Sequence, residues 1–168
     1  MKYTPLSSVL RKIAAAGKTL PELVFTVGIP GSGKSTWIQS QKGYEVVSPD
    51  LVRSKMDDIT DQSKNAEVWA VVKDKVKKAL EKGSNVILDA TNVDSIRRKQ
   101  FLQELPDHVL KAKIFDVDPE EAKRRIKEDI SVGMKRSNVP DYAIDRMYQL
   151  YRDTIDKGQL ESEGFEIL

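Results

Sequence analysis

No cysteine occurs in the 168 residues, which excludes a disulfide framework, thiol catalysis and cysteine-ligated zinc, and makes a reducing cytoplasm the expected location. Histidine is nearly absent as well. His108 stands alone after Pro106 and Asp107, a turn-like setting without partner ligands, so it reads as a solvated loop residue. No segment approaches the apolar length of a membrane span, and Arg11, Lys12 and Lys18 interrupt the N-terminal stretch where a signal peptide would need an apolar core; no membrane association is expected. Charge of one sign is not in excess. With 28 Lys plus Arg against 26 Asp plus Glu, the net charge of +2 is too small to identify a nucleic-acid partner by composition. There is no internal repeat, low-complexity tract or linker, and no segment points to a protein partner. The length fits one domain, residues 1–168, with one active site.

What is present is an alternation of short apolar runs with amphipathic stretches. Ser7 to Ala16 reads as a helix stopped by Gly17, and Leu23 to Val27 as a buried strand that runs directly into GIPGSGKST and a helical segment at Trp37 and Ile38. Tyr44 to Val47 is a second strand, followed by Ser48-Pro49-Asp50 and a helical turn or two from Leu51 to about Met56. From Asn65 to Lys82, Val68, Val72, Val76, Ala79 and Leu80 recur at three and four, an amphipathic helix stopped by Gly83. Asn85 to Leu88 is a third strand, Asp94 or Ser95 caps a helix to Leu105, Val109 to Val117 is a fourth strand, and helices follow at Pro119–Ile130 and Pro140–Asp156 before a last strand at Phe165–Leu168. Such alternation predicts βαβ units in a mostly parallel sheet covered on both faces. The basic, glycine-containing stretch 131–139 between two helices is a candidate lid. Tyr142, Tyr148 and Tyr151 invite a base-stacking role, but the spacing of Ile144, Met147, Tyr148 and Tyr151 is that of a packed helix. The cluster Arg97-Arg98-Lys99 is either the border of a nucleic-acid groove or a solvated helix face.

The segment from Gly28 to Ser35 satisfies G-x-x-x-x-G-K-[ST] with a strand before it and a helix after it. Backbone N–H groups of such a loop turn inward around a phosphate, and the helix adds its positive end. Gly28, Pro30, Gly31, Ser32, Gly33, Lys34, Ser35 and Thr36 form the expected nucleotide-binding set, with Lys34 on the β- and γ-phosphates of ATP and the Ser35 hydroxyl on Mg²⁺. The loop alone does not name a reaction. Ligands of open parallel sheets bind beyond the carboxyl ends of the strands, where Asp50 and Asp89 both fall, and either is placed to touch magnesium or an acceptor. Arg53, three residues after Asp50, shares its side of a helical turn. A carboxylate to take a hydroxyl proton beside a guanidinium to grip an anion suits an alcohol that carries its own phosphate. The plainer alternative makes Asp50 a helix cap and Arg53 a solvated charge.

GIPGSGKSTW, SPDLVR, LDATNVDSIRRKQF, FDVD and VPDYAIDRMYQLY, in this order from about Leu23 to Tyr151, resemble the kinase domain of bacteriophage-type polynucleotide kinases. That resemblance implies a three-layer P-loop kinase fold with strand order 2-3-1-4-5, and transfer of the ATP γ-phosphate to the 5′-hydroxyl end of DNA or RNA. By position it implies that Asp50 is the general base and that Arg53 holds the phosphate on the 3′ side of the terminal nucleoside. Asp89 and Thr91 fall at the acceptor side, with Asp89 bracing the arginine. Arginines near the lid of this family contact the ATP phosphates: Arg124 aligns through the AKR segment, and the second is Arg125 or Arg136. Arg136 is favoured because it lies in the loop, whereas Arg125 can pair with Glu121 on a helix face. Asp116-Val-Asp118 imitates the start of a 3′-phosphatase motif, but Glu120 stands where a threonine belongs and too little chain follows, so no phosphatase is expected. A kinase of the same fold acting on a nucleotide, sugar or metabolite is the main alternative, and a non-enzymatic nucleotide switch the next.

Overall fold

Five short apolar runs form the strands of a single sheet in a computed structural model that describes residues 19–56, 65–136 and 138–168. They are β1 (Glu22–Val27), β2 (Tyr44–Val47), β3 (Asn85–Leu88), β4 (Val109–Ile114) and β5 (Glu166–Ile167), arranged β2-β3-β1-β4-β5. Every pairing is parallel; Phe25 of the central β1 stands opposite Leu88 on one side and Ala112 on the other. Successive residues of a strand face opposite sides, and Leu23, Val24, Phe25, Thr26 and Val27 are all fully buried. Both faces of β1 are therefore covered, as an all-parallel sheet requires. The helices are α1 (Lys34–Gln39), α2 (Pro49–Ser54), α3 (Asn65–Glu81), α4 (Ser95–Leu102), α5 (Pro119–Ser131), α6 (Asp141–Asp156) and α7 (Gln159–Ser162).

The five apolar positions read at helical spacing in α3 are its buried residues. Phe25 holds the layers together edge-on, with ring centroids 5.9 Å from Phe101 of α4 and 5.1 Å from Phe165. Ile144 and Tyr151 of α6 are buried, in keeping with core packing of that helix.

Boundaries differ from expectation where local chemistry intervenes. β4 ends at Ile114 because the chain must turn to Asp118, whose side chain caps α5 by accepting from the Glu120 amide at 2.9 Å. α4 ends at Leu102, with Gln103 extended and Glu104 at φ +62°. α2 starts earlier than its apolar pattern, at Pro49, since Ser48 caps it. The helix expected at Ser7–Ala16 lies outside the described residues.

Candidate active site

The loop between β1 and α1 is locked from three sides. The Gly28 amide donates to Thr91 O at 3.0 Å, Arg125 Nη1 donates to Gly31 O at 3.2 Å, and Trp37 packs edge-on against Phe115. At Gly31 no other residue fits: φ is +79°, and a Cβ would come within 2.8 Å of Ala122 O. Gly33 begins α1 in a left-handed conformation without a side-chain cap, which leaves backbone N–H groups for an external acceptor. Lys34 Nζ donates to Gly28 O at 2.8 Å and Ile29 O at 2.7 Å. Its burial in the loop lowers its pKa to about 8, against the attraction of Asp89 and with the help of Arg136. A half-buried cation with depressed proton affinity, in a glycine-rich loop at an uncapped helix start, has the chemistry to meet a phosphate. The described residues hold no group of three His, Asp or Glu side chains that would cage a metal; Mg²⁺ would be held by the exposed Ser35 hydroxyl together with phosphate and water oxygens, the mode this ion prefers. Thr36, also exposed, follows on α1.

Across the sheet, β2 delivers Asp50. Ser48 is buried and takes the capping role, its Oγ accepting from the amides of Asp50 and Leu51 at 3.1 and 3.4 Å. The Asp50 carboxylate is thereby spared from capping its helix and is 78% exposed. Arg53 Nη1 donates to Asp50 Oδ1 at 3.0 Å, one turn on, so the two groups do share a side. Arg53 Nη2 donates to Asn65 Oδ1 at 2.6 Å, and the buried Nε–H has no partner among the described residues.

Asp89 directly follows β3, which lies between β2 and β1. Burial raises its pKa, opposed by the charge of Lys34 and reinforced by that of Asp50. Lys34 in turn feels Asp89, Arg136 and Asp50, so these four residues form one electrostatic cluster. Thr91 and Asn92 follow. Asn92 has φ +49°, which its amide group stabilises by donating to Thr26 O at 2.8 Å and Leu88 O at 3.2 Å.

The arginines divide. Arg124 is half-exposed and held by Glu121 and Glu128 of its own helix, and Arg124 followed by Arg125 draws the Glu121 pKa down to about 2. Arg125 makes the expected i, i+4 pair with Glu121 at 3.0 Å but also reaches the P-loop carbonyl, a contact that helix spacing does not reveal. Arg136 pairs with Asp129. Arg98 departs from both readings of its basic cluster. It is buried and bonded to Glu163, Thr154 Oγ1, Gln159 Oε1 and Asn92 O, and so fastens the Asp89–Asn92 turn to the C-terminal segment. Asn65, a lone asparagine at a helix start, carries no motif, and the contact of Arg125, the alternative to Arg136, with the P-loop is hidden behind its i, i+4 spacing to Glu121.

Residues 23–154 match the family described as AAA domain, AAA_33. The chain belongs to this family. It is a P-loop kinase domain related to polynucleotide kinases: it is 26% identical, over 83% of its length, to a protein of Autographa californica nuclear polyhedrosis virus named for bifunctional polynucleotide kinase/RNA ligase activity, and covers 26% of that protein. It is 27% identical, with a TM-score of 0.69 over 83% of its length, to a chain of the Pnkp1/Rnl/Hen1 RNA repair complex, 47% of which it covers. A structure described as a kinase from Chloroflexus aurantiacus shares the fold at a TM-score of 0.59 and 17% identity, over 77% of this chain and 78% of that one. The chain thus spans about a quarter of the curated relative and under half of the RNA repair chain. No helix among the described residues is long and apolar enough to cross a membrane.

Proposed function

We propose that this domain transfers the γ-phosphate of ATP to the 5′-hydroxyl end of a DNA or RNA strand. The observation that carries the reading is Arg53: one nitrogen sits on Asp50, another on Asn65, and a buried Nε–H has no acceptor among the described residues. A buried unsatisfied donor costs free energy, and an acceptor alcohol with its own phosphate brings the anion that would meet it beside the carboxylate. The names of the polynucleotide kinase relatives support the same acceptor class.

Bound Mg·ATP would supply the phosphoryl group and a cation to shield it. Lys34 neutralises the phosphate charge, and Ser35 contributes its hydroxyl to the ion. The exposed Asp50 carboxylate orients the acceptor hydroxyl in line and accepts its proton as the bond forms. Arg53 fixes the acceptor through the phosphate on its 3′ side, Asp89 and Thr91 border it, and Arg136, already close enough to act on Lys34, meets the charge of the transferring group. Arg124 would join the donor phosphates only after leaving Glu121 and Glu128.

Incubation with γ-labelled ATP, Mg²⁺, a 5′-hydroxyl oligonucleotide and a panel of nucleosides, sugars and other metabolites tests the reading. Label on the oligonucleotide is expected. Label on a metabolite alone, or hydrolysis without transfer, overturns it.

A further inference from the structure

The P-loop meets α5 backbone to backbone, since a Cβ on Gly31 would come within 2.8 Å of Ala122 O. Three residues further along the helix, Arg125 spans the same junction. Its Nη1 donates to Gly31 O at 3.2 Å, and its Nε donates to Glu121 Oε1 at 3.0 Å, which steadies the guanidinium from its own helix. The Gly31–Ser32 peptide needs such a contact. Gly31 has φ +79° and Gly33 φ +99°, and glycine takes either sign of φ readily, so local sterics do not set the peptides on either side of Ser32. The carbonyls of Gly28 and Ile29 are held by Lys34 Nζ, at 2.8 and 2.7 Å; that of Gly31 is held from α5. In a planar trans peptide the C=O and the N–H point in opposite directions. Drawing Gly31 O towards α5 therefore turns the Ser32 N–H away from α5.

We infer that Arg125 is a positioning residue for the phosphate donor: by holding Gly31 O it sets the Gly31–Ser32 peptide so that the Ser32 N–H faces the bound phosphates, without itself touching the nucleotide. This differs from the role of an arginine on the γ-phosphate. The Arg125 guanidinium is engaged by a loop carbonyl and a carboxylate of its own helix, whereas Arg136 pairs with Asp129 and acts on Lys34. The two roles give different nucleotide preferences. A loop of this kind cradles the α- and β-phosphates, which ADP and ATP share, so a clamp on its backbone strengthens the binding of both alike. An arginine on the γ-phosphate favours ATP alone. The clamp acts by sparing the glycine-flanked loop the ordering that it would otherwise undergo on binding. The inference concerns the donor half of the site and makes no use of what the acceptor is.

The test measures the Kd of Mg·ADP and of Mg·ATP by calorimetry for wild type, Arg125→Met and Arg125→Lys. The side chain is 43% exposed, and Met keeps an unbranched stem while removing the donors, so the melting temperature should change little. Arg125→Met should weaken both nucleotides by the same factor, roughly 3- to 10-fold, the worth of one partly exposed hydrogen bond. Arg125→Lys keeps a charged donor and should recover part of the loss for both. In nucleotide-free protein, relaxation dispersion at the Ser32 amide should show the peptide exchanging on the μs–ms scale in Arg125→Met and not in wild type. ATP weakened with ADP unchanged would put Arg125 on the γ-phosphate and overturn the clamp. Unchanged Kd values for both nucleotides, with a Ser32 amide as quiet as in wild type, overturn it as well. Neither readout involves an acceptor, so failure to label an oligonucleotide leaves this test standing, and failure of the clamp leaves the acceptor reading untouched.

Discussion

Raising the pH should loosen the grip of this protein on nucleotide, through Lys34. Its pKa falls from 10.5 to about 8 because the ammonium is buried within the loop, with two carbonyls, the Ser32 hydroxyl at 3.4 Å and more distant charges to offset the lost water. At about 1.36 kcal/mol per unit, up to about 3 kcal/mol stands against the charged form until an anion arrives. A bound triphosphate supplies that anion and raises the pKa again. At pH 8 about half of the nucleotide-free protein holds a neutral Lys34, so Mg·ATP binding should take up about half a proton, and nearly a whole one at about pH 9. Affinity should fall close to tenfold per unit above about pH 8. Calorimetry in two buffers of different ionisation enthalpy reads the uptake directly. Affinity that stays level between pH 7 and 9.5, without proton uptake, refutes the reasoning. The sign for folding is the reverse of an ordinary salt-bridged lysine. The folded pKa lies below the unfolded one, so the cost is fully present below about pH 8, and stability of the nucleotide-free protein gains from this group between about pH 8 and 10.5.

Asp50→Ala should lower kcat by about 10² to 10⁴, the usual worth of a general base, while the ATP Kd measured by calorimetry hardly moves; near-normal turnover rejects the assignment. Arg53→Ala should raise KM for 3′-phosphorylated acceptors selectively, and equal losses with an unphosphorylated analogue would contradict its role. Arg98→Met strands Glu163, which is 2% exposed, and should cost about 3–5 kcal/mol in urea unfolding, whereas Arg98→Met/Glu163→Leu should recover much of that; a double variant as unstable as the single would speak against an uncompensated charge. Gly31→Ala combines a left-handed φ, worth about 1–2 kcal/mol, with the approach to Ala122 O, and should lower both the melting temperature and ATP affinity; an unchanged melting curve refutes the packing argument.

The sheet was legible because each strand is an apolar run bounded by glycine, proline or polar residues, and because a motif of fixed context anchors β1 and α1. α3 was legible at single-residue resolution from its five buried positions. Strand order came from resemblance, since no local pattern says that β3 lies between β2 and β1. The ends of β4 and α4 were misplaced because apolar residues continue past them, while an Asp118 cap and a left-handed Glu104 decide where the chain turns. α7, a four-residue turn, is too short to show a period. Within the site, the pairing of Asp50 with Arg53 followed from i, i+3 spacing, yet the division of labour with Ser48 did not: serine and aspartate are both good caps, and only the fold shows which one is used. Arg98 defeated the reading most clearly. A basic triplet on a helix looks solvated, and the partner that buries one member, Glu163, lies 65 residues away in sequence.

The order β2-β3-β1 also bears on how acceptor choice is built. The P-loop and α1 belong to β1, Asp50 and Arg53 belong to β2 and the helix after it, and the end of β3 lies between the two halves. Asp89 registers this position directly, since Lys34 lowers its pKa from one side and Asp50 raises it from the other. The turn that follows is tied to the donor half by the bond from Gly28 N to Thr91 O, and to the C-terminal segment by Arg98 on Asn92 O. Phosphate-binding parts of this kind serve many reactions, so a change of acceptor need not touch them. On the proposed reading it would require changes on the β2 side, at Arg53 and Asn65, beside a turn whose backbone is already fixed. On the same reading, that turn would keep the acceptor hydroxyl in one register against the γ-phosphate while the groups that recognise the remainder of the acceptor vary, which would confine specificity to the elements following β2.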